Sequence, residues 1–342
     1  MNRAPKLNSV SPSLHWVKPT VYSLLAIIVC LSLGIALSRY DSRPLSLDHL
    51  RTEYALPKSE FMALAGQDIH VVDEGSGPVL ILLHGNANSL WIWNEWAAEF
   101  IAQGYRVIRF DLPTYGLSAP ISTQELGIIV TYEVLSDLLE KKEISRAVLI
   151  GTANGGPPAA WYAANHPDRV SGLVLVNTPF YPSQGSNDVL AAQRWARANL
   201  YPLTGKPWLA DWLYVKELAG KSQAMDSRLV SHIHDIGRRA DVSSSLDAYG
   251  SSFSFPSPRW NANNQSNTNM LSQLSLPVLI MWGGRSLLPI SEADQLAAHL
   301  QNAEVKVVKY EDGGHWLPLY RPSTSGSDVL EFLSPITHPT DE

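Results

Sequence analysis

Cysteine is nearly absent from this chain of 342 residues, which has only Cys30. A single thiol excludes an internal disulfide and any zinc site built from several cysteines. Because Cys30 lies in an apolar run near the N-terminus, we also exclude a thiol nucleophile in the soluble part. A soluble part of about 300 residues is long enough to bury a full core, so its stability requires neither a disulfide nor a metal.

Basic charge is also scarce, with 26 Lys and Arg against 32 Asp and Glu, and it forms no block. Nucleic acid is therefore not an expected partner. No Gly-x-Gly-x-x-Gly and no phosphate-binding lysine loop follows a predicted strand, so no nucleotide cofactor is expected. His232-x-His234 lacks a third ligand at helical or strand spacing, and we interpret it as a solvated helix face. We expect no metal and no cofactor.

One uncharged apolar run, from Val21 to Leu37, stands near the N-terminus. It is long enough to cross a membrane and longer than most signal-peptide cores, so we predict a single-pass anchor. The alternative is a cleaved secretory signal, because Ala36-Leu37-Ser38 is a tolerable cleavage site. Basic residues balance across the run and do not fix its orientation. We favour a non-cytoplasmic side for the folded domain.

Short apolar runs alternate with helical patterns through the rest of the chain. Runs of five to seven residues are too short for buried helices and are typical of buried strands. We predict strands at residues 79–83, 106–110, 146–150, 170–176, 277–282 and 305–310. This alternation predicts an α/β fold with a mostly parallel sheet and helices on both faces.

Residues 151–156, Gly-Thr-Ala-Asn-Gly-Gly, lie between a predicted strand and a predicted helix at 156–166. A strand, a tight glycine-rich turn and a helix together are the frame of a nucleophile elbow, which raises one side chain above the sheet edge. Here the raised residue is Ala153. A methyl group has no lone pair and no ionisable proton, so it cannot form a covalent intermediate.

Four motifs, together with their order along the chain, resemble the α/β-hydrolase superfamily. They are His84-Gly85, Asp111-x-Pro113-x-x-Gly116-x-Ser118, the elbow, and Gly314-His315-Trp316. The resemblance spans roughly residues 59–333 and is to the branch of epoxide hydrolases, haloalkane dehalogenases and small esterases. It implies an α/β-hydrolase sheet with a helical cap inserted over the pocket.

The resemblance also assigns roles, in the chain order nucleophile, acid and histidine. The nucleophile position falls on Ala153 and the histidine on His315. The oxyanion amides would belong to Asn86 and Asn154. Structural support would come from His84, Gly85 and Asp111.

The acid is a second departure from the family pattern. Its usual place, after a Trp-Gly pair, falls on Ser286, or on Arg285 if the loop is one residue shorter. Some members take the acid from the preceding strand end, where this chain has Asn177. An amide there could hold an imidazole by a hydrogen bond, but it could not stabilise the charged ring well.

Two losses favour a pseudohydrolase that binds a small apolar ligand or a protein partner. The alternatives are an acid–base or lyase-type enzyme that uses His315 and the two amides, and a weak ester or epoxide hydrolase with a rebuilt site. We divide the chain into an N-terminal tail (1–20), a transmembrane anchor (21–38), a tether (39–56), a first core part (57–178), a helical cap with a flexible loop (179–270), a second core part (271–335) and a C-terminal tail (336–342).

Overall fold

The computed structural model of the chain describes residues 17–121, 128–181, 195–196, 199–206, 208–220, 226–241 and 269–337. The strands are β1 Ser59–Leu64, β2 Gln67–Gly75, β3 Val79–Leu83, β4 Arg106–Phe110, β5 Ala147–Thr152, β6 Val170–Val176, β7 Val278–Arg285 and β8 Val305–Gly314. The helices are α1 Val17–Asp41, α2 Leu47–Tyr54, α3 Asn94–Ala102, α4 Ile128–Lys141, α5 Gly156–Asn165, α6 Tyr201–Thr204, α7 Trp208–Ala219, α8 Ser227–Ile236, α9 Ser291–His299 and α10 Pro322–Thr337.

The strands form one sheet in the order β1-β2-β4-β3-β5-β6-β7-β8. Strands β3 to β8 pair in parallel, whereas β1 and β2 are antiparallel to their neighbours. The predicted fold, a mostly parallel α/β-hydrolase sheet, is therefore confirmed. The antiparallel pair β1 and β2 was not predicted. Its two-residue turn, Ala65-Gly66, has positive φ at both residues, which matches the twist of a tight hairpin.

The sheet is buried on both faces, as a parallel sheet covered by helices requires. Along β3, Ile81 and Leu83 belong to the hydrophobic cluster that contains residues of α4 and α5. Leu80 and Leu82 belong to the cluster on the other face, which contains residues of α3 and α10. The continuous apolar run that predicted β3 thus divides between two cores with the two-residue period of a strand.

The chain forms two compact units. The first contains residues Met1–Arg43 and Gln193–Pro207, and the second contains Pro44–Ala192 and Trp208–Glu342. Residues 47–54, which the sequence analysis places in a tether, form helix α2 of the second unit, with Leu50 and Tyr54 buried. Leu50 and Tyr54 are four residues apart, which is helical spacing. The charged residues around them made the stretch resemble an exposed tether in the sequence.

Helices α7 and α8 correspond to the predicted cap helices at 208–218 and 228–236. Most of the third predicted cap helix, at 190–200, and the serine-rich loop up to residue 268 lie outside the described residues. Helix α1 contains a candidate membrane span, Val21–Asp41, none of which is buried in the protein. Its length and composition fit a membrane anchor or a signal sequence.

Candidate active site

The elbow has its strained geometry although it lacks a nucleophile. Ala153 follows β5, opens the 3-10 turn before α5, and has φ +47°. A left-handed conformation costs a residue with a Cβ about 1–2 kcal/mol. The glycines allow close packing: a Cβ on Gly155 would lie 2.3 Å from the Leu83 carbonyl oxygen, and one on Gly156 would lie 2.3 Å from the Thr178 side chain. The turn therefore presents an alanine methyl at its apex.

The loop after β3 packs directly against this apex. A Cβ on Gly85 would lie 2.7 Å from the Ala153 Cβ and 3.6 Å from the Asn154 nitrogen. Asn86 and Asn154, the residues predicted to supply the oxyanion amides, therefore belong to adjoining segments. The side-chain Oδ1 of Asn86 is buried without a hydrogen-bond partner. Such an atom is available to a ligand that carries a donor.

His315 follows β8 and is held by a hydroxyl group. Its Nδ1 lies 2.9 Å from the Ser286 Oγ, which also accepts a hydrogen bond from the Leu288 backbone N–H at 3.2 Å. Of the two positions predicted for the acid, Ser286 is the one that contacts the ring, while Arg285 pairs with Glu217 at 3.2 Å. Burial lowers the pKa of His315 to about 4, so its imidazole is neutral near pH 7.

A hydroxyl and a carboxylate control this ring differently. A carboxylate only accepts, so it fixes the proton on Nδ1 and leaves Nε2 as a base. The Ser286 hydroxyl can either accept from Nδ1 or donate to it, so both tautomers of His315 are allowed. It also carries no charge that would stabilise an imidazolium. The arrangement is therefore poorly suited to general-base catalysis near neutral pH.

Asn177, the other predicted partner of the imidazole, has a different role. Its Nδ2 donates to the backbone carbonyls of His315 at 2.8 Å and Gly314 at 3.2 Å. Its Oδ1 accepts from the Gly283 N–H at 2.9 Å. The amide therefore links the end of β6 to the C-terminal ends of β7 and β8. It positions the backbone of His315 rather than its ring.

Asp111 joins the loops beneath the elbow. The buried carboxylate accepts backbone N–H bonds from Leu90 and Leu117, and a bond from the His70 Nδ1, each at 2.7 Å. Burial alone would raise its pKa, but attraction and hydrogen bonding from His70, with smaller contributions from His84 and the Leu117 N–H, lower it to about 2. Asp111 is therefore a stable anion that fixes three segments.

His84 lies beside this carboxylate, with its Nε2 3.7 Å from the Asp111 Oδ1. Its Nδ1 donates to the Gly85 carbonyl at 2.7 Å, and its Nε2 accepts from the Leu112 N–H at 2.9 Å. These bonds require a neutral ring, in agreement with burial lowering the pKa of His84. His84 thus braces the loop after β3 against the loop after β4.

A Ser-His-Asp sequence of hydrogen bonds runs from β1 through β2 to Asp111, which follows β4. The Ser59 Oγ lies 2.6 Å from the His70 Nε2, and the His70 Nδ1 lies 2.7 Å from the Asp111 Oδ2. Because β1 and β2 were not predicted from the sequence, this network was missed. Ser59 also accepts a hydrogen bond from the Leu56 N–H at 2.8 Å, so it is one more tie within the fold.

The two histidines interpreted as a solvated helix face are buried, so that interpretation is wrong. His232 stacks on Trp91 with ring centroids 4.6 Å apart, and its Nε2 lies 2.7 Å from the Ser89 Oγ. The His234 Nδ1 lies 2.7 Å from the Asp211 carboxylate. A histidine in a sequence suggests an exposed position because the side chain is polar, yet both rings contact side chains inside the protein. Within the described residues no group of three potential metal ligands occurs.

Comparison with known proteins agrees with this architecture. The family model described as alpha/beta hydrolase fold matches residues 78–322. Human epoxide hydrolase 4 is 25% identical over 291 residues, covering 81% of this chain and 78% of its own. The 2-hydroxy-6-oxononadienedioate/2-hydroxy-6-oxononatrienedioate hydrolase of Burkholderia vietnamiensis is 28% identical over 279 residues, covering 78% and 90%. The enol-lactonase structure from Burkholderia xenovorans LB400 has a TM-score of 0.63 at 21% identity, covering 80% and 100%.

Proposed function

Because the chain belongs to the α/β-hydrolase family, we propose that it is a membrane-anchored, non-catalytic member that binds a small apolar ligand or a protein partner. The observation that carries this proposal is Ala153 at the strained apex of the elbow. In a studied serine protease, loss of the nucleophile removes about six orders of magnitude of turnover. What remains after such a loss is binding and the oxyanion hole.

The environment of His315 supports the same proposal independently. Its Nδ1 partner is the Ser286 hydroxyl, and burial lowers its pKa to about 4. A catalytic base works best when its pKa is near the working pH. A neutral imidazole in a buried site instead offers one donor and one acceptor to a bound molecule.

An acid–base or lyase-type enzyme is the second candidate, favoured by one observation. His315 is retained and largely buried, and the segments of Asn86 and Asn154 meet at the elbow. Proton abstraction needs a base facing an anion-stabilising pocket and no covalent nucleophile. The weak ester or epoxide hydrolase with a rebuilt site is the third candidate, and the name of epoxide hydrolase 4 makes epoxides one substrate class to assay.

Anchoring rests on α1. Its apolar stretch is exposed along its length, with 21 residues in the candidate span. An exposed apolar helix of this length has no water-stable position unless lipid covers it. Retention of the full chain in membranes after alkaline extraction is the expected result. A mature protein that begins near Ser38 would instead identify the helix as a cleaved signal.

A fluorophosphonate probe tests the non-catalytic proposal. The native full chain should remain unlabelled, while Ala153→Ser serves as the positive control for probe access to the elbow. Because Ser59 contacts a histidine, a labelled peptide must be mapped, and Ser59→Ala is the matched control. Labelling of the native chain at any mapped serine, abolished when that serine is replaced by alanine, would overturn the proposal.

A further inference from the structure

Residues 199–206 pack onto the C-terminal end of α1 within the first unit. The Ser42 hydroxyl donates to the Lys206 carbonyl at 2.8 Å. Gly205, with φ +74°, has no space for a side chain, because a Cβ there would lie 2.6 Å from the Ser38 carbonyl oxygen. This segment therefore lies where the apolar stretch of α1 ends.

This segment, and Trp195 shortly before it in the chain, have large apolar side chains that the protein does not cover. Trp195 is 61% exposed and Leu203 is 68% exposed, and Leu200 is also exposed. The Leu200 N–H donates to the Ala196 carbonyl and the Thr204 N–H to the Leu200 carbonyl. Tyr40, in the last turn of α1, is 63% exposed. We call Tyr40, Trp195, Leu200 and Leu203 the interfacial patch.

Basic side chains accompany the patch. Arg39 and Arg43 follow the last apolar residues of α1, and the Arg43 guanidinium lies 4.1 Å from the centroid of the Tyr40 ring. Lys206 ends the packed segment. Among the described residues of this unit, Asp41 is the single acidic one. Tyrosine and tryptophan are enriched at the headgroup level of a bilayer, and basic side chains there attract anionic lipids.

We propose that the interfacial patch is a second membrane contact, lying in the headgroup layer where α1 leaves the bilayer. The proposal rests on the proposed anchoring by α1. The bilayer is the occupant because the patch continues the exposed apolar surface of α1 and has the aromatic, aliphatic and basic composition of an interfacial segment. The contact holds residues 199–206 at the membrane surface.

Spin labelling of the full chain in anionic vesicles of phosphatidylglycerol and phosphatidylcholine tests this contact. Cys30→Ser removes the native thiol, and single labels are placed by Leu203→Cys, by Trp195→Cys and, as a matched exposed aliphatic control on α4, by Ile129→Cys. A fourth label, from Ile28→Cys, reports on α1. Collision rates with oxygen and with a water-soluble nickel complex give the depth of each label.

The expected result is an oxygen-to-nickel collision ratio several-fold higher at 203 and 195 than at 129, and highest at 28. Equal ratios at 203, 195 and 129 with a deep label at 28 would overturn this inference and leave the anchor in place. An aqueous reading at 28 would overturn the anchor and this inference together. Labels at 203 and 195 shielded from both reagents would indicate a protein partner, such as a second copy, and would also overturn it.

Discussion

His70 and His315 are two buried histidines whose Nδ1 atoms have different partners. His70 contacts the Asp111 carboxylate at 2.7 Å, whereas His315 contacts the Ser286 hydroxyl at 2.9 Å. A carboxylate therefore contacts the histidine that joins segments of the core, and a hydroxyl takes its place at His315. The difference shows that the fold keeps a buried anion where it joins several segments and has none at the ring of His315.

Asp111 and Ser286 also differ in the number of hydrogen-bond donors around them. Asp111 accepts two backbone N–H bonds besides the one from His70, so its removal leaves several buried donors without a partner. Ser286 has one further donor, the Leu288 N–H. An unpaired buried donor costs about 1–3 kcal/mol. The fold therefore depends strongly on Asp111 and only weakly on the identity of residue 286.

The largest effect, on turnover, is expected when His315 is given a carboxylate partner like the one that contacts His70. Ala153→Ser with Ser286→Asp should produce ester hydrolysis, measured with p-nitrophenyl esters. In a triad protease, replacing the acid lowers kcat about 10⁴-fold, so the double variant should exceed Ala153→Ser alone by up to about that factor. A double variant no faster than Ser286→Asp alone would mean that the pocket itself has changed.

Removing the carboxylate that contacts His70 should give the next largest effect, a loss of stability. We expect Asp111→Ala to lower the free energy of unfolding by about 3–5 kcal/mol, because it leaves a buried network without its anion. The matched control is Ser286→Ala, which should cost only about 1 kcal/mol. Urea denaturation of the full chain in detergent measures both. Equal losses in the two variants would contradict the comparison.

The pKa of His315 gives a further test of how a carboxylate and a hydroxyl differ as partners of the ring. A carboxylate from Ser286→Asp should raise this pKa from about 4 by about 1–3 units, because an adjacent anion favours the charged ring. Titration of the imidazole signals by NMR measures the shift. In the native chain the folded pKa lies below the ordinary 6.5, so the unfolded state binds the proton first.

Because the unfolded state takes up the His315 proton before the folded state does, the protein loses stability as the pH falls. The contribution of the neutral ring is fully present above pH 6.5 and is lost as the pH falls toward 4. Ser286→Asp should make this loss of stability smaller, because in that variant the pKa of His315 in the folded state lies closer to its value in the unfolded state. An unchanged acid dependence of unfolding, together with an unchanged NMR titration, would refute the contact between residue 286 and the ring.

The smallest expected effect concerns the elbow strain. Ala153→Gly should raise the free energy of unfolding by up to about 1 kcal/mol, because glycine adopts φ +47° without the steric cost of a Cβ. The matched control is Ala163→Gly, in the interior of α5, which should cost about 1 kcal/mol. Thermal unfolding of the two variants measures the difference. Equal destabilisation would mean that the apex is not strained.

The parallel strands and helices α7 and α8 could be predicted from the sequence because continuous apolar runs and helical spacing report burial directly. Strands β1 and β2 could not, since charged residues such as Glu60 and Glu74 interrupt their apolar residues and β2 also pairs with the distant β4. Asp111 was expected to support the loops, but its link to His70 depends on β2. The buried His232 and His234 were misread because burial of a polar ring is set by tertiary partners, Ser89 and Asp211, that sequence spacing does not reveal.

Turnover by the native chain and by His315→Ala, measured side by side on ester and epoxide substrates, tests whether the chain is catalytic. His315 is the retained catalytic-type residue on which the proposed alternatives depend. If the chain is non-catalytic, both proteins match the rate in buffer alone. A native rate above buffer that His315→Ala abolishes would contradict the non-catalytic proposal.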